Sequence, residues 1–254
     1  MKRRSTDGTF KKTLATLFAF TLIVFAGTAA FAQTPDAHTT RGTVDWPGYY
    51  IGTVPAASGP GIETMLILQD MNGETQYILI ENYLEEKDGQ FRSSGPGMWD
   101  ESGRSITLAG PGESRVVFVS EGWVQFLGAG ETVGSETSEY ALRKMDVFTG
   151  ADRALLVDPA EVRTGDQGGR KIVAFPGIIT FNENTAGGYR SLKADFEIDC
   201  VVRWHTMSRI RYYDLGYGSG RIIRESAMEG GRAMPILAAD EDVIYQAWGR
   251  YCRP

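Results

Sequence analysis

The chain has 254 residues, 42% of them hydrophobic and 23% charged, with a formal net charge of −6. Such a composition describes a globular protein of one or two domains, each long enough to bury a core. An acidic balance argues against nucleic acid or an anionic membrane surface as partner.

Residues 1–32 read as a signal peptide. Lys2, Arg3, Arg4, Lys11 and Lys12 form a basic region, Leu14 to Phe25 an apolar one, and Ala30-Phe31-Ala32 a small-x-small cleavage site. The apolar run is short for a membrane span of roughly 20 residues, so cleavage and export are expected, with no stable membrane insertion afterwards. No cysteine follows it, which excludes lipid attachment at a new N-terminal cysteine. Cleavage removes five basic residues and one acid and moves the net charge from −6 to −10. Residues 33–44 are polar, without an apolar period, and read as a flexible leader.

Residues 45–145 carry a series of short β signals: Tyr49 to Val54, Glu63 to Gln69, Thr75 to Leu84, Gly97 to Asp100, Ser105 to Ala109, Arg115 to Val119, Trp123 to Leu127 and Glu139 to Leu142. Turn dipeptides such as Asn72-Gly73, Asp88-Gly89 and Ser102-Gly103 separate them. Asn-Gly and Asp-Gly suit tight hairpins because they tolerate positive φ. Strands spaced roughly 8 to 12 residues apart, with no helical period, predict a barrel or sandwich.

Within this half, Asp45-Trp46-Pro47-Gly48-Tyr49-Tyr50-Ile51-Gly52, then Pro55, then Gly61-Ile62 and Thr64, resembles the opening of the N-terminal domain of the copper-resistance lipoprotein NlpE family. Phe91, Gly97, Trp99, Gly103 and Ile106 to Leu108 extend the likeness. The resemblance implies a small antiparallel β-barrel. It also marks two departures: the family's Cys-x-x-Cys falls on Ala56 and Gly59, and the chain lacks a lipoprotein cysteine. The Pro55 to Gly61 loop is therefore a degenerate metal motif with no ligand atom, and neither metal nor cofactor is expected.

Residues 146–254 change grammar. Val147-Phe148 and Ala154 to Asp158 read as brief strands, and Lys171 to Phe181, Arg190 to Val202 and Arg203 to Asp214 as long ones. A glycine turn, Gly216 to Gly220, leads to a further strand, Arg221 to Ser226. Asp240 is a plausible N-cap for a final helix whose Val243, Ile244, Ala247, Trp248 and Tyr251 share a face. The only two cysteines, Cys200 and Cys252, form an even count in an exported chain, which suggests a disulfide. Val157-Asp158-Pro159, Asp199-Cys200, Tyr212-Tyr213-Asp214, Gly216 to Gly220 and Ala239 to Cys252, in that order, resemble the surface-adhesin protein E family. That resemblance implies an α+β domain: an antiparallel sheet with the C-terminal helix on one face, pinned by Cys200 and Cys252.

Catalytic groups are sparse. Histidine occurs twice, at His38 in the leader and His205 beside Trp204. There is no Gly-x-Ser-x-Gly elbow. Gly128-Ala129-Gly130 and Gly216 to Gly220 lack the lysine and the strand–helix setting of a phosphate loop, so both read as turns. The acids Glu85-Glu86 and Asp240 to Asp242 are adjacent in sequence, not placed across a cleft as glycosidase chemistry needs. Strand alternation would put Arg203, Arg209 and Arg211 on one face, a candidate protein-partner strip. The chain thus reads as a non-enzymatic exported envelope protein, periplasmic or at the cell surface, of binding, adhesion or stress-related type, with an unknown protein partner. The alternative is a carrier holding an apolar ligand in the barrel between Trp99, Phe118, Trp123 and Phe126.

Overall fold

The computed structural model describes residues 39–84, 86, 89–110, 114–128, 132–226 and 233–253. Residues 1–32, read as a signal peptide, the first half of the leader with His38, and the positions Glu85, Asp88, Pro111-Gly112 and Ala129-Gly130 lie outside the described residues. Where the leader joins the fold, Thr40–Thr43 make one helical turn, α1.

Eight antiparallel strands close a barrel: β1 Gly48–Val54, β2 Ile62–Met71, β3 Glu74–Tyr83, β4 Gln90–Trp99, β5 Ser105–Leu108, β6 Arg115–Ser120, β7 Trp123–Leu127 and β8 Ala141–Lys144. Closure comes from β1 on β8, with Tyr50 opposite Lys144 and Ile51 opposite Arg143. Tyr50, Leu66, Leu68, Ile106, Val117, Val119, Val124 and Leu142 fill the interior. One end is stopped by Trp46 and Trp99, edge to face at 5.3 Å. There the Tyr50 hydroxyl donates to the Trp46 carbonyl at 2.6 Å, and Trp99 Nε1 donates to Thr75 Oγ1 at 2.9 Å.

Strand β4 is longer than its sequence suggests. Gln90 to Pro96 reads as a loop because Ser93-Ser94-Gly95-Pro96-Gly97 is poor in β-formers. The glycines are there for packing: a β-carbon on Gly95 would lie 2.5 Å from the Ala109 carbonyl oxygen, and one on Gly97 would meet Ile106 and Thr75.

A second antiparallel sheet follows. Its strands are β9 Asp146–Thr149, β10 Arg153–Val157, β11 Arg163–Asp166, β12 Lys171–Phe181, β13 Ser191–Asp199, β14 Trp204–Tyr213, β15 Ile222–Ser226 and β16 Met234–Pro235. The order is β15-β14-β13-β12-β10-β9, with β11 on β12 and β16 on β14. Helix α2, Val243–Cys252, lies across one face. Its N-cap is Asp242, whose carboxylate accepts from the amides of Ile244 and Tyr245, two residues later than the Asp240 start expected. Val243, Ile244, Ala247 and Trp248 bury against Val173, Phe175, Phe196 and Ile198.

Cys200, just past β13, and Cys252, the last residue of α2, form a disulfide with Cα atoms 5.3 Å apart. Lys171 Nζ donates to the Tyr251 carbonyl at 3.0 Å, and Trp248 Nε1 to the Cys200 carbonyl at 3.2 Å. A cation at the last turn of a helix satisfies carbonyls left without an intrahelical donor.

The other face of the sheet is not free. Leu156 and Ile178 pack with Met65, Ile67 and Ile80 from the outer face of β2 and β3, and Met145 joins them at the junction. Strand β2 is therefore buried on both sides, which is why Met65-Leu66-Ile67-Leu68 does not alternate.

Candidate functional site

The residues singled out in the sequence separate in space. Arg203 is not on a strand. It ends the turn after Cys200 with φ of +56°, and its guanidinium lies 4.4 Å from the Trp248 ring centroid on the helix side. Arg209, at φ of +49°, sits in a β-bulge. Two steps on β13, Lys193 to Asp195, face three on β14, Arg211 to Ser208. The extra residue reverses alternation, so Met207 and Ile210 both point to the helix-side core while Arg209 and Arg211 face the barrel side. The expectation that all three arginines share one face is thereby corrected.

Arg209 and Arg211 border a cleft of about 420 Å³ between barrel and sheet, with Glu63, Met145, Asp158, Ile178, Lys193 and Asp195 around it. Its charges are matched. Lys193 pairs with Glu63 across the junction, Arg209 with Asp195, and Arg211 with Glu225 at 3.4 Å. Arg143 of β8 reaches Asp158 at 2.7 Å and Glu161 at 3.4 Å. The Lys193 ammonium also lies 5.4 Å from the Tyr213 ring centroid. Burial raises the Tyr213 hydroxyl above the usual tyrosine range, and the nearby Glu63 carboxylate adds to this. The Lys193–Glu63 and Arg143–Asp158 pairs tie barrel to sheet, whereas Arg209–Asp195 and Arg211–Glu225 lie within the second sheet.

A second cleft of about 520 Å³ opens beside the same junction, between Ile80, Gln90 and Arg92 of the barrel and Thr180, Phe181, Asn182, Arg190, Leu215, Gly216, Tyr217 and Ser219 of the sheet. Sequence reasoning passed over Arg92 and Arg190 because they lie 98 positions apart on different folds. The available signal was the Gly216 to Gly220 turn, whose Tyr217 has φ of +63°.

In the loop Pro55 to Gly61, Gly59 has φ of +89°, and Ala56 packs against the barrel core. Neither side chain carries a donor atom. No group of three or more His, Cys, Asp or Glu residues that could hold a metal ion occurs among the described residues.

The aromatics weighed as a ligand box also divide. Trp99 stoppers one end, and Phe126 lies beneath the Arg115 guanidinium, 5.9 Å from its ring centroid. Phe118 and Trp123 alternate outward from buried Val117, Val119 and Val124, and pack on each other at 5.6 Å. Near the other end, a cleft of about 350 Å³ is lined by Tyr77, Tyr83 and Phe91 and by the Glu81–Arg115 ion pair at 2.6 Å. His205 stands opposite Ile198 on the helix side, its Nδ1 buried without a partner.

Residues 50–136 match the family model "NlpE N-terminal domain" and residues 142–253 match "Surface-adhesin protein E", the two likenesses read from the motifs. Among solved structures, a putative lipoprotein from Shewanella oneidensis is 32% identical over 42% of this chain and 95% of its own, at a TM-score of 0.36. The Cpx pathway activator NlpE from Escherichia coli is 18% identical over 66% of this chain and 96% of its own, at a TM-score of 0.29. No curated protein matches the chain.

Proposed function

We propose that this chain is an exported, non-enzymatic envelope protein that acts by binding another protein, in envelope stress or adhesion. The observation that carries the reading is the match to two envelope-type families in tandem, at residues 50–136 and 142–253. Apolar side chains fill most of the barrel, and the cleft at its end carries the Glu81–Arg115 ion pair, which supports recognition at the outer surface over carriage of an apolar ligand inside it. On this reading an acidic segment of the partner docks at Arg209 and Arg211, whose side chains are 81% and 60% exposed, in exchange for their intramolecular partners Asp195 and Glu225.

Export predicts that protein recovered from the periplasm begins at Gln33, read by intact mass. A membrane-bound species retaining residues 1–32 would defeat that part. The binding role is tested by cross-linking residues 33–254 to envelope proteins. One partner should be captured, and Arg209→Glu with Arg211→Glu should release it. Saturable uptake of an apolar fluorophore into the barrel, with no cross-linked partner, would replace the binding module with a carrier. Metal handling is not part of this reading: with no ligand atom at Ala56 or Gly59, titration with Cu(I) should show no saturable binding near the micromolar range. Stoichiometric copper uptake would restore it.

A further inference from the structure

The cleft between β3–β4 of the barrel and the Gly216 to Gly220 turn holds two guanidinium groups and no carboxylate among its described residues. Neither Arg92 nor Arg190 forms a salt bridge to any described residue, although Arg143, Lys193 and Arg209 along this junction are each paired. Arg190 donates through one terminal nitrogen to the Asn182 carbonyl at 2.8 Å, but its Nε is buried with no acceptor. A buried donor on a charged group without an acceptor is costly and calls for an explanation in a bound ion or water.

The wall behind the arginines is built to stay in place. Tyr217 occupies the left-handed region within Gly216-Tyr217-Gly218-Ser219-Gly220. Its amide donates to Thr180 Oγ1 at 3.2 Å, and the next amide, Gly218, donates to Ser191 Oγ at 2.8 Å. The Tyr217 ring rests 6.0 Å from that of Tyr49. Burial raises the Tyr217 hydroxyl above the usual tyrosine range, Tyr49 raises it further, and the charges of Arg92 and Arg190 both pull it back. Both guanidinium groups therefore act on the same point, one from each fold.

We propose that this cleft binds the phosphate group of a small phosphate monoester. Two positive charges facing no acid match a dianion better than a single carboxylate, and guanidinium forks suit its oxygens. The Thr180 hydroxyl, which accepts from the Tyr217 amide, keeps its own proton to donate, and the Gln90 amide is a further donor at the cleft, while Ile80, Leu215 and Tyr217 offer an apolar shelf for the organic part. At about 520 Å³ the space lies within the range of small-molecule sites. A free ester and a lipid headgroup present the same chemistry.

The test uses residues 33–254, calorimetric titration, and inorganic phosphate and hexyl phosphate as probes. Hexyl phosphate should bind saturably and more tightly than inorganic phosphate. Arg92→Ala, an exposed position that leaves the fold intact, should weaken it by about tenfold or more, roughly the loss of one charge-assisted contact. Arg190→Lys should weaken it too, since an ammonium cannot reproduce the fork. Arg209→Ala, in the other cleft, should leave it unchanged. Arginine-dependent sedimentation with vesicles containing phosphatidic acid would identify a lipid headgroup as the source. Binding of hexyl phosphate without vesicle binding would identify a soluble ester. Absence of saturable binding to about 10 mM, or binding indifferent to both Arg92→Ala and Arg190→Lys, overturns the proposal.

Discussion

His205 shows how a single ring can set a pH limit. Burial holds its pKa below the ordinary histidine value, and the nearby Asp242 charge and a hydrogen bond to the Met234 backbone only partly offset that. The unfolded chain then takes up a proton more readily than the folded one. The ring's contribution is fully present above the unfolded value of about 6.5 and is lost as pH falls through the folded value. Urea unfolding at neutral pH and near pH 5 should therefore show a loss of stability at the lower pH that His205→Gln diminishes; an unchanged loss in the variant would assign it elsewhere. The arginines teach a different lesson at this scale. Their identities are plain in the sequence, but their faces are not, because one extra residue at Arg209 reverses the parity of the strand. No local pattern in Met207-Ser208-Arg209-Ile210 announces a bulge, since Arg209 is a residue type that seldom adopts positive φ.

Strands and their joints were mostly legible, and where they were not the cause is physical. Alternation and turn dipeptides located six barrel strands closely and β8 two residues early, but the glycines of β4 serve interior packing and so look like a loop. The short edge pieces β11 and β16 carry no apolar signal of their own and exist by pairing with β12 and β14. Gly52 tests the barrel's closing joint. A β-carbon there would lie 2.7 Å from the Ala141 carbonyl oxygen on β8, and backbone cannot step aside. Gly52→Ala should cost about 1–3 kcal/mol in urea unfolding by forcing β1 from β8. Gly165→Ala, where nothing lies within 4 Å, is the control and should be nearly neutral. If the two variants unfold alike, the seam is softer than its geometry implies. The link between α2 and the end of β13 is tested by Cys200→Ser with Cys252→Ser. The bridge spans a sequence separation of 52, for which chain entropy gives an upper figure of about 4 kcal/mol. The double variant should lose stability up to that amount while keeping its helix, held by Trp248 and the Lys171 contact; an unaltered unfolding midpoint would make the bridge incidental.

For the molecule as a whole, the decisive feature is the core shared between the two folds. Its sequence mark was present in Met65-Leu66-Ile67-Leu68 and Leu155-Leu156-Val157, runs apolar on both faces where a solvated sheet would alternate. Such runs report that both faces are covered without saying by what, so the docking of barrel on sheet could not be read in advance. Leu156 is fully buried in that junction. Leu156→Ala should cost about 2–5 kcal/mol and lower the unfolding midpoint seen by barrel tryptophans and by the disulfide-bearing sheet together. Two separate transitions, with only one displaced, would mean that the folds unfold independently. The same junction has a consequence in time. The barrel strands end at Lys144, whereas Ile178 and the strands beside it come later, so a chain emerging N-terminus first completes its barrel before the surface that covers Met65, Ile67 and Ile80 exists. On the export reading the chain crosses the membrane unfolded, so that patch faces solvent until the strands around Ile178 have followed the barrel through. A newborn barrel is thus a sticky intermediate that needs either a chaperone or the prompt arrival of its own second half.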